Sequence, residues 1–294
     1  MKNKIEGVLT AVVTTFDDNG KFCAERMKKQ VNRQIDSGNG IFCNGTNGEF
    51  FVLSTAEKLA VTETCVNEVA GRASLVAHIG EISTEKTIAL GKEVAKLGVD
   101  AVSVITPFFV PLSQGELIYH YTKIADEVNV PVFMYNIPAR TGNTILPETA
   151  AKLALHPNII GIKDSAGSYE SLSGFLAATR GIENFNVLNG PDSLIHQGFV
   201  DGCSACISGL ANVAPKEINE IWKQFKLGDI EASRLAQESV TGLRTDLYKI
   251  VFSPAAVKKA LTLMGHDVGE SRYPIRFSPE NLNDIKAVIN KYIS

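Results

Sequence analysis

Hydrophobic and polar positions alternate along this chain in two distinct rhythms. Short runs rich in apolar and β-branched residues occur at 7–16, 40–45, 74–80, 100–106, 131–137, 159–165, 184–190 and 202–209. Runs such as GIFCNG and DAVSVIT stay apolar over successive positions, the mark of strands buried on both faces. Between them lie longer amphipathic stretches, among them CAERMKKQVNRQIDSG, STAEKLAVTETCVNEVAG and STEKTIALGKEVAKLG. The last two open on Ser-Thr followed by an acidic residue and end on Gly. Those residue types begin a helix with a side-chain acceptor and end it in a left-handed turn.

Eight strands alternating with helices predict parallel βαβ units. An open doubly wound sheet and a closed (β/α)8 barrel both meet that pattern. The count of eight, with no G-x-G-x-x-G turn after the first strand, favours the α/β barrel of the TIM type. Residues 1–225 are expected to form it. From EASRLAQESVTGLRTDLYKIV onward the chain reads as helix without strand signals, so 226–294 is expected to pack on the barrel as a C-terminal helical extension.

Composition then removes several classes of function. With 29 Lys and Arg against 32 Asp and Glu, the net charge of −3 offers no electrostatic case for nucleic acid. No apolar run approaches the length that spans a membrane. The start, MKNKIEGVLTAVVTTF, is broken by threonines and alternates as a strand does, so it reads as mature structure and the protein as cytoplasmic. The five cysteines include one C-x-x-C, Cys203 and Cys206, with no second pair near enough to complete a zinc site. They read as small core residues. His78, His120, His156, His196 and His266 lack metal-ligand spacing, and no metal is expected.

A barrel of this kind carries its chemistry at the C-terminal ends of its strands. Polar groups gather there: NGTNGEF after strand two, TPFFVP after strand four, MYNIPARTG at strand five, IKDS at strand six and ISGLAN at strand eight. Lys163 ends an otherwise apolar strand. Desolvation favours its neutral amine, a nucleophile toward carbonyls that forms a Schiff base and thereby an electron sink. A structural ion pair with Glu49 or Asp164 is the alternative. Tyr135, at the end of the preceding strand, is placed to shuttle protons or to serve as a rim aromatic. Gly45, Thr46, Asn47 and Gly48 can present backbone N–H groups to a carboxylate, and Arg140 can clamp a second one.

GTNGE, YNIPARTG, GIKDS and GCSACISGLAN, in this order, together resemble the dihydrodipicolinate synthase / N-acetylneuraminate lyase family, and the resemblance extends through the C-terminal helices. It implies a class I aldolase or synthase of TIM-barrel fold, usually a homotetramer, acting on pyruvate or another 2-oxo acid through a lysine Schiff base with no separate cofactor. By motif, Lys163 is the Schiff-base lysine, Tyr135 the proton-transferring tyrosine and Thr46 the hydroxyl that contacts the carboxylate and relays the proton. Asn47 and Gly48 complete that turn. The backbone at Ile207 holds the pyruvyl group, and Arg140 binds the carboxylate of the aldehyde partner.

Two positions depart from the synthase pattern. Asn47 replaces a second threonine. Phe109 replaces a tyrosine whose hydroxyl enters a neighbouring subunit's site. The expectation is therefore an aldolase or lyase that joins or splits pyruvate and an aldehyde, cleaving a 2-keto-3-deoxy or 4-hydroxy-2-oxo acid. The alternatives are 4-hydroxy-tetrahydrodipicolinate synthase, which condenses pyruvate with aspartate semialdehyde, and a non-catalytic 2-oxo acid binder.

Overall fold

Each of the eight apolar runs forms a strand in the computed structural model, which describes residues 5–293. The strands are β1 (Gly7–Ala11), β2 (Gly40–Cys43), β3 (Leu75–His78), β4 (Ala101–Ile105), β5 (Val132–Asn136), β6 (Ile159–Asp164), β7 (Asn186–Asn189) and β8 (Ala205–Ser208). They close in sequence order into a parallel barrel. The connecting helices are α1 (Ala24–Ile35), α2 (Thr55–Val69), α3 (Thr84–Leu97), α4 (Gln114–Glu127), the short α5 (Pro138–Thr141), α6 (Pro147–Leu153), α7 (Tyr169–Ala178) and α8 (Ile195–Asp201). Among the described residues, β8 is followed by the helices α9 (Pro215–Lys226), α10 (Ile230–Tyr248), α11 (Ser253–Leu263) and α12 (Pro279–Tyr292), with no further strand.

The helix boundaries follow from side-chain chemistry. Ser54 accepts from the Glu57 amide while the Glu57 carboxylate accepts from Ser54 N–H, at 2.9 Å, which satisfies two otherwise orphaned groups at the start of α2. At the start of α3 the Ser83 hydroxyl accepts from the Lys86 amide at 3.3 Å, and Gly98, with φ 92°, ends the helix. At the end of α2 the left-handed turn begins one residue before the glycine. Ala70 has φ 47° and Gly71 φ 73°, and Arg72 N–H closes the turn onto the Val69 carbonyl at 2.9 Å.

β1 is shorter than its apolar run of 7–16. The last ladder donor is Val12 N–H, to the Phe42 carbonyl at 3.1 Å, and amides further on are claimed elsewhere. Val13 N–H donates to the Asn212 side chain at 3.0 Å, and Phe16 N–H to the Val268 carbonyl at 3.0 Å. Both residues remain fully buried. Apolar periodicity reports that burial and not the ladder.

Two compact units are distinguished by their internal contacts, one containing Val76–Ile207 and the other Gly7–Leu75 with 208–293. In the first, the lateral register places Ile105, Tyr135, Lys163 and Leu188 side by side on adjacent strands. In the second, Leu9 lies beside Gly40 and Ala11 beside Phe42.

Candidate active site

Lateral neighbours in a parallel sheet project to the same face, and successive residues to opposite faces. Tyr135 is registered with Lys163, and Asn136 with Asp164. On one face, Asn136 Nδ2 donates to Asp164 Oδ1 at 2.8 Å. Asp164 Oδ1 also accepts from the Ala166 amide at 3.2 Å, with Ser171 of α7 near the carboxylate, so this face looks toward the helices. Burial raises the Asp164 carboxyl above its ordinary range, and these hydrogen bonds oppose that rise.

Lys163 and Tyr135 therefore occupy the face turned away from the helices. They are 5% and 2% exposed, and Lys163 Nζ lies 4.0 Å from the centroid of the Tyr135 ring. An ammonium is attracted to such a ring face. The two carboxylates weighed as ion-pair partners are engaged elsewhere. Asp164 points to the opposite face. Glu49 Oε1 is bound by Lys258 Nζ at 2.7 Å and Oε2 by Arg272 N–H at 2.9 Å.

Gly161, two residues before Lys163, keeps this face open. A Cβ there would meet the Asn186 carbonyl and sit 2.5 Å from the edge of the Phe133 ring. His78 joins the same neighbourhood, 1% exposed, its ring meeting Tyr135 edge-on with centroids 5.9 Å apart. Metal-ligand spacing had no bearing on His78. The signal that would have found it is the one that found Lys163, a polar residue closing an apolar strand.

Arg140 lies on α5, exposed, just past β5. The residue after the turn that ends α5 has the larger structural part. Asn143 donates from Nδ2 to the carbonyls of Pro107 and Val110, each at 2.8 Å, and its Oδ1 accepts from Leu112 N–H at 2.7 Å. This side chain thus ties the Arg140 segment to the loop 107–112. Phe109 at the tip of that loop has φ 78° and is 91% exposed. A left-handed phenylalanine costs about 1–2 kcal/mol. Sequence reading passed over Asn143, since nothing in its local pattern marks it.

In the other unit, Thr46 and Asn47 are partly exposed and Gly48 is buried, in a turn directly after β2. Asn44 and Glu49, either side of the turn, are both left-handed, with φ 56° and 58°. Thr14 Oγ1 donates to the Gly48 carbonyl at 2.6 Å. The Asn47 side chain lies over Gly209, where a Cβ would come within 2.8 Å of its Nδ2 and 3.2 Å of the Tyr248 hydroxyl. Lys258 and Arg272, which hold Glu49, were also invisible to the sequence reading. Burial draws the Lys258 ammonium down to about 8, against the pull of Glu49.

Ile207 sits in β8, its side chain 2% exposed. All five cysteines are free thiols and Cys203 and Cys206 are buried. Burial pushes the Cys203 thiol up to about 12, which makes it a poor nucleophile at neutral pH. Among the described residues, no three His, Cys, Asp or Glu side chains are grouped to hold a metal ion. No helix of the described residues is long and apolar enough to cross a membrane.

Together these features define a (β/α)8 lyase with a buried amine and a phenol at the ends of adjacent strands. The sequence profile of the dihydrodipicolinate synthetase family matches residues 4–291, and the chain belongs to that family. Membership makes it a pyruvate-dependent class I aldolase or lyase. An uncharacterised DapA-like lyase of Halobacterium salinarum is 36% identical over 92% of this chain and 88% of its own. The 4-hydroxy-tetrahydrodipicolinate synthase of Trichlorobacter lovleyi is 34% identical over 98% of both chains. Among solved structures, the dihydrodipicolinate synthase of Acinetobacter baumannii complexed with pyruvate superposes with a TM-score of 0.93 at 29% identity, covering 98% of this chain and 99% of its own.

Proposed function

We propose that the protein joins or splits pyruvate and an aldehyde through a Schiff base on Lys163, acting as a lyase on a 2-keto-3-deoxy or 4-hydroxy-2-oxo acid. The observation that carries this reading is the buried Lys163 amine 4.0 Å from the Tyr135 ring centroid. The amine adds to the C2 carbonyl of the 2-oxo acid, and water leaves as the iminium forms. In the cleavage direction, the C4 hydroxyl gives up its proton, the C3–C4 bond breaks, and its electron pair passes to the iminium as an enamine. The aldehyde departs. Protonation of the enamine at C3 and hydrolysis then release pyruvate and the free amine.

Tyr135 carries the proton in this scheme, with Thr46 as its relay. Thr46, Asn47 and Gly48 bind the 2-oxo acid carboxylate, the backbone at Ile207 holds the pyruvyl group, and Arg140 takes a polar group of the aldehyde. The reaction needs neither a metal nor a separate cofactor. Incubation with pyruvate and borohydride should leave a reduced adduct whose mass maps to Lys163. A wild-type protein that takes no label would remove the mechanism.

A second reading is 4-hydroxy-tetrahydrodipicolinate synthase. It is favoured by the relatives of that name and by Arg140, and opposed by Phe109 and Asn47. Turnover of a panel of 2-keto-3-deoxy acids against condensation of pyruvate with aspartate semialdehyde separates the two. On either reading the family resemblance makes the proposed enzyme a cytoplasmic homotetramer. The support for assembly is Phe109, whose exposed ring on a strained tip suits burial against a second copy. Sedimentation of the wild type and of Phe109→Asp tests it, with a smaller species expected for the variant.

A further inference from the structure

The buried ion pair between Glu49 and Lys258 has no part in the chemistry above, yet it is among the most enclosed polar contacts in its unit. The side chains of Lys258 and Glu49 are 2% and 1% exposed, and they meet at 2.7 Å across 209 residues of chain. Both Glu49 oxygens are used, the second by Arg272 N–H at 2.9 Å. Lys258 Nζ also stands 4.0 Å from the centroid of the Phe16 ring, and the Arg272 guanidinium 4.9 Å from the same ring. Arg272 reaches onward to Glu57 in α2 at 2.6 Å.

An ion pair this deep is a poor choice for stability. Removing two charges from water opposes much of their attraction, and a well-packed apolar pair in the same volume often serves folding equally well. What the pair does supply is a fixed position for Glu49. Glu49 is the left-handed residue that ends the turn 46–48, and its amide donates to the Thr46 carbonyl at 3.2 Å. The preceding carbonyl, of Gly48, is pinned by Thr14. A displacement of the Glu49 backbone is therefore passed to Thr46 through the amide-to-carbonyl hydrogen bond and to Gly48 through the chain.

We propose that Glu49 and Lys258 are positioning residues that hold the turn 46–48 in its substrate-binding geometry, and that they act on 2-oxo acid affinity rather than on folding. This rests on the reading that the turn binds the carboxylate. Lys258 arrives from α11 and Arg272 from the segment between α11 and α12, so the helical C-terminal region sets the binding turn. Neither residue touches substrate in this scheme.

The test compares wild type, Glu49→Gln and the volume-matched double variant Glu49→Leu/Lys258→Met. Borohydride trapping on Lys163 is measured as a function of pyruvate concentration, alongside the thermal unfolding midpoint. Labelling of the wild type comes first, since its absence would indict the Schiff-base reading and not this one. With wild type labelled, the double variant should unfold within a few degrees of it while its half-saturating pyruvate rises by about tenfold, the size of one lost positioning contact. Glu49→Gln keeps the shape and one of the two acceptors, its amide nitrogen facing a second donor in place of the other. With half the anchorage retained, its half-saturating pyruvate should rise less. Labelling at saturating pyruvate should reach the wild-type extent in both. The proposal is overturned if the folded double variant labels with unchanged pyruvate dependence, or if loss of the pair abolishes folding, which would make its role structural.

Discussion

Lys163 Nζ stands 4.0 Å from the centroid of the Tyr135 ring, on neighbouring strands held in direct register. The amine and the phenol are thus placed by two backbones in one ladder and not by flexible loops. Asn136 and Asp164, bonded to each other one residue further along, lock the same register from the opposite face.

That separation of roles predicts the behaviour of Tyr135→Phe. The ring that packs on Lys163 is kept, and only the hydroxyl proposed to carry the proton is lost. Borohydride trapping of pyruvate on Lys163 should persist at long incubation, while turnover falls by about 10²–10⁴-fold. Full turnover in the variant would take the proton-transfer role away from Tyr135.

Gly161 has a requirement of space, not of backbone freedom. A methyl group there meets the Asn186 carbonyl and the Phe133 ring, both parts of the sheet itself. Gly161→Ala should lower unfolding free energy by about 1–3 kcal/mol, the usual range for overpacking, as read from urea denaturation. Because β6 must shift to admit it, the yield of Lys163 adduct should drop as well. An alanine variant of wild-type stability would show that the sheet yields freely at this point.

Asn143 makes three backbone hydrogen bonds to the loop that carries the strained Phe109. Asn143→Ala is expected to cost about 2 kcal/mol, from the bonds lost and the buried Pro107 carbonyl left without its donor. Proteolytic nicking between 107 and 112 should accelerate in parallel. If cleavage there stays at the wild-type rate, the loop holds its shape without this side chain.

His120 supplies a pH dependence of known sign. It is 3% exposed, hydrogen-bonded through Nδ1 to Thr84 at 2.8 Å, and burial holds its pKa down to about 4, with Glu85 pulling weakly upward. The folded protein keeps the imidazole neutral while the unfolded chain binds a proton below about 6.5. Its stabilising contribution is therefore complete above pH 6.5 and declines as pH falls toward 4, by roughly 3 kcal/mol in all. Asp164, raised by burial, works in the opposite sense at the acid end of this window. Subtracting the stability curve of His120→Gln from that of wild type isolates the histidine. A flat difference between pH 6.5 and 4 would mean that His120 is protonated in the fold.

Local pattern by itself determined the eight strands, the capped starts of α2 and α3, and the placing of Lys163 and Tyr135 at the ends of β6 and β5. Each of these rests on interactions within a few residues: side-chain alternation, a serine hydroxyl on the third amide, an apolar run closed by a polar group. Only the tertiary structure decided where β1 stops, with the Val13 and Phe16 amides beyond it taken by Asn212 and the Val268 carbonyl. It likewise decided that Glu49 pairs with Lys258, and that Asn143 governs a loop more than thirty residues before it. Those partners are chosen by closure of the chain in space, and a pairing across 209 residues leaves no trace in the spacing of its neighbours.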